Sequence, residues 1–374
     1  MELSPQQDAA LVAVSKWLKQ GYPQVFRLFG YAGTGKTTLA RRIAEDVDGD
    51  VLFAAFTGKA ALVLRSRGAK KASTIHSLIY RPRGEEVVED EETGKAQMAP
   101  TFSINRRSPV SEAALVIIDE CSMVDEELGK DLLSFGTPVL VLGDPGQLPP
   151  VSGGGFFTDH EPDAMLEEIH RQARDNPIVE MARLVREGEP LPHGTFGESR
   201  VIRRNEVEQG DVLAADQVLV GTNRTRRRYN QRLRDLKDFQ GPLPAAGDKL
   251  VALRNDPQKG LLNGSLWTVK SASRPAASHM NLLVTSEDEG LERVSAKIKV
   301  LRAAFEDPER DIPWQLKRRH DDFDYGYALT VHKAQGSQWD DVYLFDESFA
   351  FREHSQRWLY TAITRAAEKI TVVK

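Results

Sequence analysis

The stretch VFRLFGYAGTGKTT, from Val25 to Thr38, decides the fold of this chain. Val25 to Phe29 is apolar and β-prone, which predicts a buried strand, and Thr38 to Ala44 continues as a helix. Between them, Gly30 to Thr37 fits G-x-x-x-x-G-K-[ST] at every position. Glycines let successive backbone N–H groups face an anion, and the helix N-terminus adds a partial positive charge. The stretch therefore predicts a loop that binds the phosphates of a nucleoside triphosphate.

Two residues of this loop carry specific chemistry, and an acidic pair further along supplies the rest. Lys36 can reach the β- and γ-phosphates, and the Thr37 hydroxyl can ligate Mg²⁺. The apolar run that ends in Asp119-Glu120 predicts a buried strand with an aspartate for Mg²⁺ and a glutamate that deprotonates the attacking water. Such a pair in isolation is more often a helix cap, but the upstream phosphate loop favours the catalytic interpretation. We interpret Cys121 as a small packing residue.

A third group of candidates would sense or stabilise the reacting phosphate. Gly143 to Pro150 is a sharp turn with the amide of Gln147 at its apex, although a plain Pro/Gly turn is equally consistent with the spacing. Arg171 and Arg365 are candidate cations for the transferring phosphoryl group. Taken alone, either arginine would more often be a surface ion-pair residue.

Composition narrows the class of protein. With 374 residues, the chain is long enough for two or three domains. Its 50 basic and 55 acidic residues give a net charge of −5, which argues against coating nucleic acid by bulk charge but permits a local basic channel. A single cysteine excludes an internal disulfide and a cysteine-based zinc cluster. The N-terminus is acidic and polar, unlike a secretory signal, and no apolar run is long enough to span a bilayer, so we expect a cytoplasmic protein without membrane contact.

The order of the predicted elements indicates an α/β fold. Strands alternate with helices and end in polar residues, which is typical of a doubly wound parallel sheet, and a helix over Pro5 to Gln20 precedes the first strand. Gln217 to Val220 begins a second α/β core, followed by a helix over Arg224 to Lys237. Short strands and turns between 247 and 322 predict a small inserted β-barrel. Residues 81–108 predict an inserted hairpin that turns at Thr93-Gly94, or alternatively a mobile acidic loop.

Together these segments resemble the ordered motif set of a superfamily 1 helicase, closest to the RecD/Dda-like 5′-to-3′ branch (superfamily 1B). The resemblance covers nearly the whole chain, and nine matches in family order make it specific. The matching segments are Leu3 to Gln7, Gly30 to Thr37, Phe56 to Ala61, Ser73 to Ser77, Asp119-Glu120, Gly143 to Pro150, the segment around Arg171, Ala328 to Ser337, and Leu359 to Ala366.

The resemblance implies roles for individual residues. The implied catalytic set is Lys36, Asp119, Glu120, Gln147, Arg171 and Arg365, with Thr37 and Asp119 as the Mg²⁺ residues. The implied ATP-binding set is Gln7 at the adenine edge, then Gly30, Gly33, Thr34, Gly35, Lys36, Thr37, Thr38 and Gly336. The implied nucleic-acid contacts are Thr57, Lys59, Thr74, His76, Thr330 and His332, and Phe102 is the nearest candidate for an aromatic residue at the hairpin tip.

The resemblance also implies an architecture and an activity. Residues 1–170 would form one RecA-like domain with a pin hairpin at 81–108, and residues 171–246 with 323–374 a second one that carries an SH3-like barrel at 247–322. The cofactors would be ATP and Mg²⁺. The activity would be ATP-driven 5′-to-3′ movement on single-stranded DNA with unwinding at single-strand/duplex junctions, by a monomer with repair or replication proteins as possible partners.

Three alternatives remain open from the sequence. The chain could be an ATPase that translocates without unwinding, or one that acts on RNA. It could also be a non-hydrolysing ATP-binding subunit of a repair or recombination complex, although the catalytic set is intact.

The basic run Arg224, Arg226, Arg227 and Arg228 could line a strand channel or form a solvated face.

Overall fold

The computed structural model describes residues 3–89, 96–149, 155–168, 176–256, 258–288, 295–310 and 312–374. The chain divides into two compact units. The first consists of Met1–Ile79, Arg106–Arg226 and Leu329–Lys374, and the second of Tyr80–Asn105 and Arg227–Ala328. Among the described residues, no helix has the length and apolar character needed to cross a membrane.

The helices and strands follow in chain order. The helices are α1 (Pro5–Gln20), α2 (Lys36–Glu45), α3 (Gly58–Ser66), α4 (Ile75–Ile79), α5 (Glu126–Leu133), α6 (Pro177–Arg186), α7 (Gln209–Ala214), α8 (Asn223–Leu236), α9 (Ala303–Glu306), α10 (Trp314–Lys317) and α11 (Ser355–Ile363). The strands are β1 (Val25–Gly30), β2 (Val51–Ala55), β3 (Ser73–Thr74), β4 (Tyr80–Glu89), β5 (Ala96–Ile104), β6 (Leu115–Asp119), β7 (Val139–Gly143), β8 (Ala164–Leu166), β9 (Gly194–Phe196), β10 (Ser199–Ile202), β11 (Gln217–Val220), β12 (Lys249–Ala252), β13 (Leu266–Ala272), β14 (His279–Ser286), β15 (Ser295–Leu301), β16 (Phe323–Tyr325), β17 (Ala328–Thr330), β18 (Trp339–Phe345) and β19 (Ala366–Val373).

The first unit contains a six-stranded sheet with the order β3-β2-β6-β7-β1-β8. Its pairings are parallel. Parallel strands are covered on both faces, which explains why β7 is buried along its whole length and why β6 is a continuous apolar run. The carboxyl ends of β1, β6 and β7 therefore lie side by side, and each leads into one of the predicted site motifs.

Helix α1 confirms the predicted N-terminal helix and shows how it is attached. Ser4 Oγ accepts a hydrogen bond from the Gln7 backbone N–H, and the Gln7 side chain accepts one from the Ser4 N–H, which forms a capping box. The buried face of the helix packs Val14 and Trp17 into the same core cluster as Phe26 of β1. This packing fixes the start of α1, and thus Gln7, beside the glycine-rich loop.

A second six-stranded sheet of the first unit has the order β17-β11-β18-β19-β10-β9. Strand β11 pairs in parallel with β18, β18 with β19, and β19 with β10, whereas β9 is an antiparallel edge strand. The predicted second α/β core is therefore confirmed as a parallel sheet. The Pro- and Gly-rich stretch before β10, residues 188–197, carries the short edge strand β9.

The second unit contains the hairpin of β4 and β5. The two strands pair antiparallel from Tyr80 opposite Ile104 to Glu89 opposite Ala96, with an irregularity between Pro82 and Gly84. The hairpin prediction is thus confirmed, the mobile-loop alternative is wrong, and the predicted turn at Thr93-Gly94 lies outside the described residues.

Phe102 lies near the base of this hairpin. It pairs with Pro82, and its half-exposed ring is 6.1 Å from that of Tyr80. Because Phe102 lies two residues before the end of β5, its predicted position at the hairpin tip was wrong. A contact between Phe102 and nucleic acid stays a prediction.

The second unit also contains an antiparallel sheet with the order β15-β14-β13-β12-β16. Side chains along β14 alternate between buried and exposed, as expected for a sheet with one face on a core. The predicted β-rich insert is therefore present. Its boundary at 322 was too early, because β16 pairs with β12 and belongs to this sheet.

A buried ion pair attaches helix α8 to this antiparallel sheet. The Arg234 guanidinium makes two hydrogen bonds with the Asp248 carboxylate, at 2.9 and 3.0 Å, and both side chains are fully buried. Arg234 also donates to the carbonyls of Gly241 and Leu243 and lies 4.3 Å from the ring centroid of Tyr325. Arg234 of α8 therefore joins the helix to several buried groups of the second unit.

Candidate nucleotide-binding and nucleic-acid-binding site

The glycine-rich loop joins β1 to α2 with the geometry that an anion needs. Gly33 and Gly35 have φ angles of +79° and +81°, which favour glycine. At Gly30 a Cβ atom would lie 2.7 Å from Thr34 Oγ1 and 2.9 Å from Leu166 Cβ, so the tight turn also requires glycine. Because α2 begins at Lys36, the first N–H groups of the helix open onto the loop.

Lys36 lies over this loop. Its Nζ donates hydrogen bonds to the carbonyl oxygens of Gly30, at 2.6 Å, and Tyr31, at 3.0 Å. The ammonium is thus held where a triphosphate chain would approach the loop amides. The predicted role of Lys36 fits this position.

The predicted Mg²⁺ residues are in direct contact. Thr37 Oγ1 donates a 3.0 Å hydrogen bond to Asp119 Oδ2 at the end of β6. Desolvation and the neighbouring charge of Glu120 raise the pKa of Asp119. A hydroxyl and a carboxylate are hard oxygen donors suited to Mg²⁺, and a divalent cation would relieve this unfavourable charge, so the two residues fit that ion.

Glu120 has a backbone conformation that is uncommon for a non-glycine residue. Its φ and ψ angles of 52° and 48° lie in the left-handed region. This turn follows the buried strand directly and precedes the fully buried Cys121. Burial raises the pKa of the Cys121 thiol well above its ordinary value, so the thiol stays protonated, in agreement with a packing role.

Gln7 contacts the phosphate loop itself. Its Nε2 donates a 2.9 Å hydrogen bond to the carbonyl of Thr34, while its Oε1 accepts from the Ser4 N–H. A Cβ atom on Gly35 would lie 2.7 Å from Nε2, so the amide rests directly against the loop. Both ends of the amide already bind the protein, and the predicted contact with adenine stays a prediction.

The turn after β7 is held by side chains of the second sheet's segments. Asp144 accepts hydrogen bonds from the Gly146 N–H and the Tyr360 hydroxyl, and burial raises its pKa. The Leu148 N–H donates to Thr361 Oγ1 at 2.9 Å. The sequence pointed to Gln147 in this turn but not to the partners that hold it.

Arg365 is buried, with 5% of its surface exposed. Its guanidinium donates to the Thr361 and Ser337 carbonyls and to Thr364 Oγ1, at 3.1 to 3.2 Å. Within the described part of the chain these partners are all neutral, so the full positive charge is available to an anion. The alternative of a surface ion-pair residue is wrong for Arg365, whereas Arg171 lies outside the described residues.

One cavity of about 470 Å³ joins these groups. Its volume lies in the range of small-molecule sites. Among the predicted residues, those that line it are Gln7, Gly33, Gly35, Lys36, Thr37, Thr38, Asp119, Glu120, Gln147, Gly336 and Arg365. Gly30 and Thr34 belong to the glycine-rich loop but do not line the cavity.

The cavity also includes residues that the sequence did not indicate. Arg67, at the end of α3, and Gln338 both line it, and Arg67 Nη2 donates a 2.8 Å hydrogen bond to Gln338 Oε1. Asn176 lines it as well and caps α6. Gln338 follows the matched motif directly, which is the one sequence signal that could have found it.

The threonines predicted to contact nucleic acid have structural roles of their own. Thr57 caps α3 by accepting from the Ala60 N–H, and Thr74 accepts from the Ser77 N–H at the start of α4. Thr330 is largely buried and accepts from the Lys333 N–H. Their contacts with a strand stay predictions.

The basic candidates differ in exposure. Lys59 has only 8% of its surface exposed, whereas His76 is exposed, and the contacts of both with a strand stay predictions. His332 is half-buried, with its ring centroid 5.3 Å from that of Phe351. Burial and the nearby His354 lower the pKa of His332, so its ring is neutral at pH 7.

The arrangement defines a class of protein, a P-loop core in which the segments of a second parallel sheet contribute an arginine to the cavity beside the loop. Residues 2–206 match the family described as AAA domain, and residues 325–373 match the UvrD-like helicase C-terminal domain. The chain belongs to this AAA-domain family and resembles superfamily 1B helicases of the RecD/Dda type.

Similar proteins of known name support this membership. The chain is 29% identical over 372 residues to the ATP-dependent RecD2 DNA helicase of Deinococcus radiodurans, covering 91% of this chain and 46% of that protein. It is 31% identical over 201 residues to the ATP-dependent DNA helicase dda of Enterobacteria phage T4, covering 50% of this chain and 43% of that protein. This chain thus spans less than half of the length of these relatives.

Solved structures agree at the level of the fold. Pif1 helicase from Candida albicans superposes with a TM-score of 0.57 at 19% identity, covering all of this chain and 94% of that one. Bacteroides Pif1 bound to single-stranded DNA gives 0.56 at 18% identity, covering 99% and 92%. The mixed α/β fold with parallel sheets is therefore shared with these helicases.

Proposed function

We propose that the chain is an ATP-dependent DNA helicase that moves 5′-to-3′ on single-stranded DNA and unwinds duplex at junctions. One observation carries the proposal: Arg365, buried and without an acidic partner among the described residues, lines the same cavity as Lys36. A buried cation that donates only to neutral groups is costly unless it serves an anion. A triphosphate held between these two cations would bind both sheets of the first unit at once.

The residues of this cavity account for hydrolysis. Glu120 takes a proton from the attacking water, whose oxygen bonds to the γ-phosphorus as the bond to the β–γ bridging oxygen breaks. Lys36 and Arg365 stabilise the charge on the transferred group, and Gln147 orients the water or the γ-phosphate. Thr37 and Asp119 would hold Mg²⁺, and this ion would neutralise negative charge on the triphosphate.

Movement follows from the difference between the substrate and the products. ATP contacts both sheets, whereas after cleavage the γ-phosphate link between Lys36 and Arg365 is lost. Thr57, Thr74 and His76 in segments of the first sheet, and Thr330 and His332 in segments of the second, would hold successive phosphates of the strand. Each cycle would then shift one set of contacts along the strand relative to the other.

The domain assignments belong to the same proposal. The segments 1–170 and 171–246 with 323–374 would act as RecA-like domains, the β4–β5 hairpin as the pin, and the antiparallel sheet as an SH3-like barrel. Support comes from their order in the chain and from the strand pairings of each. Opening a base-pair step costs roughly 1.4 kcal/mol, which a pin would help to enforce. We further propose a monomer that acts in the cytoplasm with repair or replication proteins.

Strand displacement tests the proposal. Matched duplexes with a 5′ tail, a 3′ tail or no tail, in DNA and in RNA, are incubated with the protein, ATP and Mg²⁺. We expect unwinding of the 5′-tailed DNA alone, and none by the Lys36→Ala variant. ATP turnover without displacement would indicate a translocase, and displacement of the RNA duplex would indicate an RNA helicase.

Binding of single-stranded DNA is tested separately by its salt dependence. The logarithm of the affinity should fall with the logarithm of the salt concentration with a slope near −0.7 per phosphate contact. Lys36→Ala should retain this binding. An affinity that does not change with salt would contradict a phosphate-binding strand path.

A further inference from the structure

Tyr360 is a buried residue of helix α11 in the first unit. Arg365 follows it by five residues and lies just beyond the end of the helix. Its hydroxyl donates a 2.8 Å hydrogen bond to Asp144 Oδ2 and accepts a 2.9 Å hydrogen bond from the Ala32 backbone N–H. Asp144 begins the turn that carries Gln147, and Ala32 belongs to the glycine-rich loop. One hydroxyl therefore connects α11 to both phosphate-sensing segments.

The ring of Tyr360 is fitted to the same turn. A Cβ atom on Gly146 would lie 2.9 Å from Tyr360 Cε1, so the ring rests directly on the Gly146 backbone. A side chain at position 146 would clash with the ring of Tyr360. The hydroxyl is thus placed by packing and not by the hydrogen bonds alone.

Neighbouring side chains hold the other end of the turn. The Leu148 N–H donates to Thr361 Oγ1 at 2.9 Å, and Gln335 Nε2 donates to the Leu148 carbonyl at 3.2 Å. Gln335 lies in the segment that also contains the predicted nucleic-acid residues Thr330 and His332. The turn with Gln147 is thus hydrogen-bonded both to α11 and to the segment that contains Thr330 and His332.

A phenol suits this position chemically. The Ala32 N–H requires an acceptor and the Asp144 carboxylate requires a donor, and a hydroxyl can satisfy both at once. Asp144 is buried and Ala32 is half-buried, and leaving either without its hydrogen bond is unfavourable. Any shift of α11 must therefore move the loop and the turn or break these bonds.

We propose that Tyr360 is a positioning residue that transmits nucleic-acid binding on the second sheet to the ATP site. A strand held by the second sheet would fix α11, and the Tyr360 hydroxyl would then set the glycine-rich loop and Gln147 in the geometry for hydrolysis. This inference rests on the proposed function and adds the route of coupling to it.

The test compares ATP turnover with and without saturating oligo-dT in the wild-type chain and in Tyr360→Phe. The substitution keeps the ring on Gly146 and removes only the hydroxyl. We expect the ratio of stimulated to unstimulated kcat to fall about five- to thirtyfold, as for the loss of one or two buried hydrogen bonds. The KM for ATP should change less than the stimulated kcat.

Tyr343→Phe is the matched control, because Tyr343 is a buried tyrosine of β18 that is not part of the cavity lining. It should keep the wild-type ratio. A purely structural role of Tyr360 would lower both rates of Tyr360→Phe in parallel and leave their ratio unchanged, which would overturn the inference.

A second variant guards against misfolding of the first. Thr361→Val removes the acceptor of the Leu148 N–H at the other end of the turn, and it should lower the same ratio. An unchanged ratio in Thr361→Val and in folded Tyr360→Phe would refute the coupling route. Absence of any stimulation by oligo-dT in the wild-type chain would instead refute the proposed function.

Discussion

The hydroxyl of Thr37 donates a 3.0 Å hydrogen bond to the carboxylate of Asp119, across a separation of 82 residues in the chain. The contact exists because β1 and β6 lie in the same parallel sheet and end at the same edge. It brings into one place two oxygen donors, a hydroxyl and a carboxylate, of the kind that suits Mg²⁺. The metal requirement of the enzyme should therefore depend on this hydroxyl.

Replacement of Thr37 tests the metal assignment. Thr37→Val should raise the Mg²⁺ concentration for half-maximal ATP turnover by roughly ten- to a hundredfold, because an oxygen ligand is lost at nearly constant volume. Thr37→Ser, which keeps the hydroxyl, should remain close to wild type. The measurement is a Mg²⁺ titration at saturating ATP. Equal midpoints for the two variants would remove Thr37 from the metal site.

Arg365 should be required for chemistry more than for stability. Arg365→Ala should lower kcat by about 10³- to 10⁵-fold, as for other arginines that stabilise a transferring phosphoryl group. Arg365→Lys should recover little activity, because a lysine lacks the planar fork of donors. Arg204→Ala, at an exposed arginine outside the cavity, is the control. A loss of less than tenfold in Arg365→Ala would contradict the assignment.

Replacement of Glu120 by glycine should lower the activity of the protein but raise its stability. Glu120→Gly should lower turnover by about 10²- to 10⁴-fold through loss of the base. It should also stabilise the fold by up to about 1 kcal/mol, because glycine tolerates the left-handed backbone and the repulsion with Asp119 disappears. Glu120→Gln should lose turnover without relief of the backbone strain. Turnover and urea unfolding of both variants check this, and a destabilised Glu120→Gly would contradict the strain argument.

His332 should contribute to the pH dependence of stability. Its pKa is lowered in the folded protein, so the unfolded chain binds a proton more readily once the pH falls below the ordinary value of about 6.5. Stability that involves this ring is therefore present above pH 6.5 and is lost as the pH falls further, by at most about 1.4 kcal/mol per pH unit. In urea unfolding between pH 7.5 and 5.5, His332→Asn should lose less stability than wild type. Parallel losses would show that His332 is not a source of the acid sensitivity.

The buried Arg234–Asp248 pair should dominate the stability of the second unit. Arg234→Ala leaves the Asp248 carboxylate buried without its cation, so the free energy of unfolding should fall by about 3–5 kcal/mol. Arg227 lies on the same helix as Arg234 and forms an exposed ion pair with Glu309. Arg227→Ala should lower the free energy of unfolding by no more than about 1 kcal/mol. Urea unfolding followed by tryptophan fluorescence measures both. Similar losses in the two variants would contradict a special role for the buried pair.

Local features of this protein were predictable from the sequence. The glycine-rich loop, the helix over Pro5–Gln20 and the strand over Gln217–Val220 were predicted at or near their observed ends. Each depends on interactions within a few residues: glycine conformation, a Ser4 cap, or a continuous apolar run. Hairpin strands and the limits of the antiparallel sheet were predicted less well, because partners distant in the chain decide where pairing stops.

Contacts between distant segments were decided only by the tertiary structure. The sequence alone determined that a phosphate loop with Lys36 and an acidic pair would exist, because glycine conformation and the apolar strands on either side specify them locally. It named Arg365 as a candidate for the site of Lys36, but it did not determine that Tyr360 joins Asp144 to Ala32, that Lys59 is buried, or that neutral groups alone hold Arg365 among the described residues. Those facts depend on how two sheets pack, and packing is set by the shapes of many side chains together, which no single stretch of residues contains.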